Sequence, residues 1–180
     1  MSGTSRSRCV PYIRYVLCTT NILSEVAITT YAHLEYELTL FSRHYLAAVQ
    51  HRHDQALDRS AYLILCRLEL DSPLSFKQIA EAFRLDVSTV NRQVGRLLEN
   101  ALVERVADPD GGLARKVQAT PAGLAALRAD REQSRDGLAK VVAGWDDAEV
   151  ATMTAVLEKF NRSIEALENN GWPRPMQPGD

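Results

Sequence analysis

The sequence predicts a mainly α fold with one small β-hairpin, and three observations predict it. Apolar residues recur at helical spacing in six segments, and side chains able to cap a helix stand before five of them. Between residues 102 and 119 the period shortens to that of strands, around the turn cluster Asp108-Pro109-Asp110-Gly111-Gly112.

The elements follow in order. Leu34, Leu38, Phe41, Tyr45 and Val49 place a first helix over about 26–50, and His51-Arg52-His53-Asp54-Gln55 breaks it. Asp58 or Ser60 caps a second helix with the apolar face Ala61, Ile64, Leu65 and Leu68, which Asp71-Ser72-Pro73 ends. Ser75 caps a short third helix carrying Ile79, Ala80 and Phe83. Asp86 caps a fourth, with Val90, Val94, Leu97 and Leu98 on one side. Residues 102–106 and 115–119 read as strands. Thr120-Pro121 supplies a cap and a first-turn proline for a fifth helix, apolar at both ends. Its middle, Asp130-Arg131-Glu132-Gln133, is polar, as in a helix bridging two packed bodies. Asp146 and Glu149 form a capping box for a sixth helix, whose Val150, Met153, Leu157, Phe160, Ile164 and Leu167 fall at near-heptad spacing. Gly171-Trp172-Pro173-Arg174-Pro175 ends regular structure.

Composition bounds the class. The 180 residues are 46% hydrophobic and 24% charged, ordinary values for a globular chain long enough to bury a core. The net charge of -2 conceals a local pattern: residues 130–180 hold 6 Lys and Arg against 10 Asp and Glu, whereas residues 84–96 hold 3 Arg and 1 Asp. A local basic patch is what docking on DNA requires. The three cysteines, Cys9, Cys18 and Cys66, lack metal or redox spacing, which suits a reducing cytoplasm. No apolar run approaches the length of a membrane span. Arg6, Arg8 and Arg14 precede Tyr15-Val16-Leu17-Cys18, but that run is short and no small-residue cleavage site follows. A poorly ordered extension is expected there rather than a signal peptide.

Two short helices followed by a hairpin with a glycine-rich tip make a winged helix-turn-helix. On its fourth helix the apolar stripe turns inward and leaves Ser88, Thr89, Asn91, Arg92 and Arg96 to face outward. Hydroxyl, amide and guanidinium groups are the donors and acceptors that meet base edges and phosphates in a major groove. Arg115 and Lys116, on the returning strand of the hairpin, are the nearest wing cations. Since neighbours on a strand point to opposite faces, one of the two is expected to reach a phosphate. Gly95 either permits close approach to a backbone or to DNA, or is a chance glycine on an exposed face.

These residues resemble the MarR family of bacterial regulators. The likeness runs through Ile79-Ala80-Glu81, Ser88-Thr89-Val90, Arg96-Leu97-Leu98-Glu99, Leu102-Val103-Glu104-Arg105, the wing, and Thr120-Pro121-Ala122-Gly123. With the long flanking helices it covers about residues 26–168. The resemblance implies an extension over 1–25, dimerisation helices over 26–57 and 121–168, a winged helix-turn-helix over 58–120 and a tail over 169–180. It also implies a homodimer acting as a transcriptional regulator, and as a repressor on an inverted-repeat operator, in many relatives released by a small molecule or oxidant. Two departures stand out. Ala101 occupies a position where the family usually has glycine, and the family's Asp-x-Arg wing signature falls on Gly111 and Leu113.

Other readings are open on the same residues. His44, His51 and His53 with Asp54 are metal-ligand types, but two histidines one residue apart share no helical face and no partner motif accompanies them, so a solvated loop and no cofactor are expected. Cys66 is a candidate redox thiol, with Arg67 as its local cation. Tyr36, Tyr62 and Cys66 together make a candidate effector-binding set. No phosphate loop, metalloprotease helix or nucleophile elbow is present, so an enzyme is not expected. The alternative to DNA binding is a winged helix used as a protein-interaction module, a role the fold by itself permits.

Overall fold

In a computed structural model, residues 25–50, 57–109, 111–112 and 115–175 are described. Cys9, Cys18, His51, His53, Asp54, Asp110 and Leu113 lie outside them, as does the expected N-terminal extension. The chain forms two units that part after Arg52. The first contains helix α1 (Glu25–Gln50), on which Tyr31, Leu34, Tyr36, Phe41 and Tyr45 are exposed and the Phe41 and Tyr45 rings stack 6.0 Å apart.

The second unit holds α2 (Arg59–Leu70), β1 (Leu74–Ser75), α3 (Phe76–Phe83), α4 (Val87–Glu99), β2 (Val103–Val106), β3 (Lys116–Ala119), α5 (Pro121–Val141) and α6 (Asp147–Glu168). Its core is the set of apolar faces expected from periodicity: Ile64, Leu65 and Leu68 from α2, Ile79 from α3, and Val90, Val94 and Leu97 from α4. Val103, Val117 and Leu127 close the core from the hairpin and α5. The fold is mainly α with a small antiparallel sheet, as the sequence predicts.

The sheet has three strands in the order β1-β3-β2. Leu74 pairs with Val117, and Val103 through Val106 pair with Ala119 through Lys116. The sequence reading has only the hairpin. It misses β1 because two residues are too few to show a period, and there Ser75 serves both as strand and as cap of α3.

The caps act locally. Asp58 accepts from Ala61 N–H at 2.8 Å, Ser75 and Gln78 form a complete capping box, and so do Asp146 and Glu149. Thr120 Oγ1 accepts from Gly123 N–H at 3.0 Å and donates to the Ala101 carbonyl at 2.7 Å, tying the start of α5 to the turn before β2. At Gly123 any Cβ would collide with the Leu102 backbone carbonyl, so only glycine lets α5 lie this close.

Two segments make contacts that spacing does not reveal. In the polar middle of α5, Glu132 and Gln133 are exposed, but Asp130 is buried and Arg131 grips Glu69 of α2 through two contacts at 3.0 and 2.6 Å. Charged residues there pack against α2 because a carboxylate faces the guanidinium and offsets the cost of its desolvation. The segment after α6 lacks regular structure, yet residues 170–174 are held against the body by Asn170, Trp172 and Arg174.

Candidate nucleic-acid interface

Helix α4 is positioned by what it buries. Val90, Val94 and Leu97 are at most 3% exposed, and their stripe fixes the helix's rotation. Ser88, Asn91, Arg92 and Arg96 are consequently exposed, with Thr89 half-buried beside them. Steps of three and four residues relate them, so they share one face. Asp86 sits at the cap position, where its carbonyl accepts from Thr89 and Val90 N–H, but its carboxylate makes no cap hydrogen bond. Nothing lies within 4 Å of a Cβ placed on Gly95, so no protein backbone demands a glycine there.

Arg96 is not wholly free on this face. Its Nη1 lies 3.8 Å from Asp58 Oδ2, with both side chains more than half exposed. Asp58 also accepts from Ser60 Oγ at 2.7 Å and Ala61 N–H at 2.8 Å. Burial acts to raise the Asp58 carboxyl, but those hydrogen bonds and the nearby guanidinium outweigh it and hold the group below its ordinary value.

Arg84, the first of the three arginines in the basic stretch, faces elsewhere. It stands in the turn between α3 and α4 with φ of 51°, and its guanidinium donates to the Glu168 carbonyl at the end of α6. The uncommitted positive charge of this stretch is therefore concentrated on α4 itself.

On the wing the two candidate cations part company. Arg115 is exposed. Lys116 is 9% exposed, and its Nζ lies 2.8 Å from Asp108 Oδ1. Of the two candidates, Lys116 is therefore the one turned inward, its ammonium paired within the wing and not presented at the surface. Asp108, in turn, is not the bare negative charge at the tip that the turn cluster suggests. Arg105, which the sequence reading passes over, is exposed on β2 with its guanidinium 5.9 Å from the Phe76 ring centroid.

The candidate effector residues divide between the two units. Tyr36 is exposed on α1. Tyr62 and Cys66 stand one helical turn apart on α2, half-buried, with Arg131 Nη2 3.6 Å from Cys66 Sγ. Burial and the neighbouring thiol push the Tyr62 phenol up, while Arg131 works against them. Glu69 holds the Arg131 guanidinium above its already high value. Arg131 is missed by sequence reasoning because it reaches α2 from 62 positions away.

His44 is exposed on α1, and the described residues contain no cluster of three or more potential metal ligands. No helix among them is long and apolar enough to cross a membrane.

The sequence pattern of the MarR family matches residues 57–111. YxaD of Bacillus subtilis (strain 168), an uncharacterized HTH-type transcriptional regulator, is 33% identical over 133 residues, 73% of this chain and 92% of that protein. The HTH-type transcriptional repressor IacR of Pseudomonas putida is 25% identical over 146 residues, covering 74% and 85% of the two chains. Among solved structures, a MarR family protein from Bacillus stearothermophilus superposes with a TM-score of 0.70 at 20% identity, over 79% of this chain and 99% of that one. FabT of Streptococcus pneumoniae, crystallised in complex with DNA, gives 0.61 at 16% identity over 76% and 99%.

Proposed function

We propose a function for this chain from the premise that it belongs to the MarR family of helix-turn-helix transcriptional regulators: it binds an inverted-repeat operator in double-stranded DNA as a homodimer and represses the genes beside it. The chain is a regulator, not an enzyme. The observation that carries the finer reading is the outward face of α4, where Ser88, Asn91, Arg92 and Arg96 are exposed together above a stripe that fixes the helix's rotation. A surface of amide, hydroxyl and guanidinium groups suits base edges and phosphates better than it suits an apolar protein partner. Arg115, exposed on the wing, adds a phosphate contact in this reading.

Dimerisation is supported by apolar surface that one protomer leaves uncovered. Leu138, Val141, Val150, Met153, Val156, Phe160 and Leu167 are exposed on α5 and α6, and α6 buries no residue. Surface of that kind is normally covered by a second copy. A two-fold dimer places its recognition helices about 34–36 Å apart, one turn of DNA, and so selects a dyad-symmetric site. Repression is supported by the name of the relative IacR. Release by a small-molecule effector completes this reading. Its basis is the half-buried phenol, thiol and guanidinium of Tyr62, Cys66 and Arg131 between α2 and α5.

The test is to sequence the genomic fragments that the purified protein retains, then to footprint the best of them. A dyad-symmetric footprint whose affinity falls by about 1–3 kcal/mol in Arg92→Ala or Arg96→Ala supports base reading. An affinity unchanged in the folded double variant would move the assignment to an interaction module.

A further inference from the structure

We propose that residues 169–174 form a strap by which the end of α6 holds the turn between α3 and α4, so that the C-terminal segment sets how firmly the recognition helix is positioned. Three consecutive residues, the last two of α3 and the first of the turn, are held by it or by the last residue of α6. The Asn170 side chain donates to the Ala82 carbonyl at 3.0 Å. The Trp172 ring meets Phe83 edge-on, with centroids 5.1 Å apart. The Arg84 guanidinium donates to the Glu168 carbonyl and lies 3.7 Å from that residue's carboxylate. Asn169, with φ of 49°, turns the chain out of α6. Arg174 then closes the segment back on Glu165 with two contacts at 2.9 and 2.7 Å. The strap is thus fastened to its own helix at both ends and to the end of α3 in the middle.

Its hold is balanced rather than strong. Trp172 also faces the Arg67 guanidinium of α2, whose carbon is 5.3 Å from the ring centroid. That is an attractive contact for a partly desolvated cation. Yet Nε and Nη1 of Arg67 are buried with no hydrogen-bond partner among the described residues, so closure leaves two donors unsatisfied. A cleft of about 380 Å³, lined by Arg67, Gln78, Arg84 and Asn170 among others, lies where strap, α2 and α3 meet. The strap spans a gap instead of completing a packed core, and a few side chains decide whether it stays down.

The consequence for function rests on the DNA-binding reading above. If α6 belongs to the dimer body, the strap links that body directly to the helix-turn-helix and orders the recognition helix before DNA arrives. Preorganisation of this kind raises specific affinity without adding a DNA contact.

The experiment compares full-length wild type, Trp172→Ala, Asn170→Ala and Trp172→Phe by two measurements. Hydrogen exchange in the free protein reads the Arg84 and Leu85 amides, which bond to the Glu81 and Ala80 carbonyls. Titration against an operator fragment and a random duplex at one salt concentration reads affinity. Expected are faster exchange at those two amides in Trp172→Ala and Asn170→Ala, and a loss of about tenfold in operator affinity with random-duplex affinity little changed. Trp172→Phe, which keeps an aromatic face, should restore both. Unchanged exchange in Trp172→Ala, or faster exchange with undiminished operator affinity, overturns the strap's role. If wild type binds no duplex at all, the DNA-binding reading fails separately, and unchanged exchange still overturns the strap while faster exchange supports its hold on the turn.

Discussion

Lys116 Nζ and Asp108 Oδ1 lie 2.8 Å apart across the base of the wing, with side chains only 11% and 13% exposed. Removing one member of a charge pair this far out of solvent is costly, because the other loses its nearest opposite charge while it stays largely out of water. Lys116→Ala should therefore destabilise the fold by about 3 kcal/mol and leave the salt dependence of DNA binding largely unchanged. Arg115→Ala should do the reverse, sparing the melting temperature and reducing the salt slope by about 1. Thermal melting and a salt titration on both variants decide the matter. A loss of salt slope in Lys116→Ala with no loss of stability would show that the lysine leaves Asp108 to meet phosphate.

Asp58 links the start of α2 to Arg96 on α4, and its lowered pKa carries a sign. The folded form holds its proton less tightly than the unfolded chain. The stability it contributes is therefore complete above the ordinary value of 3.8 and is lost as pH falls through the lower folded value. Asp58→Ala should cost about 1 kcal/mol near neutrality, the usual loss of an N-cap, and the gap to wild type should narrow below about pH 4. Urea denaturation at pH 7 and pH 3 measures the gap; a gap of constant size would sink the assignment.

Two backbone positions give opposite predictions. Gly95 sits mid-helix with open space around it, so Gly95→Ala should stabilise the protein by about 1 kcal/mol. If the glycine serves close approach to DNA, the same variant will lose operator affinity despite being more stable. Ala101 adopts φ of 54°, a left-handed conformation that disfavours any Cβ. Ala101→Gly should stabilise by about 0.5–1 kcal/mol, the relief of strain exceeding the added freedom of the unfolded chain. Melting of the two single variants checks both, and a destabilised Ala101→Gly would contradict the strain argument.

Phe160→Asp places a charge in the middle of the apolar face of α6. Sedimentation should show this variant as a monomer at micromolar concentration, with operator binding weakened because one half-site must then be held alone. A dimer as tight as wild type would place the interface elsewhere.

The local grammar of the chain is highly legible. Ser75, Asp86, Thr120 and Asp146 each stand at the cap position expected of them, Asp58 is the one of the two candidates that caps α2, and the apolar stripe of α4 falls on the residues its spacing selects. The candidate DNA face could be read for the same reason: once Val90, Val94 and Leu97 are known to turn inward, Asn91, Arg92 and Arg96 can only turn out. Less legible was the use to which each charge is put. Arg84 and Arg96 look equivalent in the sequence, yet one binds the end of α6 and the other remains on α4. Lys116 and Arg115 differ in the same way, since a strand turns one neighbour in and the other out, and the sequence alone does not say which.

What the sequence determined by itself acts within a turn or two of the chain: helix limits, caps, the hairpin and the rotation of α4. Those features depend on spacings of two, three and four residues, which are visible in any linear reading. Tertiary structure alone decided which polar groups are spent inside the protein. Arg131 meets Glu69 from 62 positions away, Asn170 meets the Ala82 carbonyl from 88, and Trp172 finds Phe83 and Arg67 from still farther along the chain. No periodicity encodes such pairs, because they exist only once the core has brought the helices together and left particular donors facing particular acceptors.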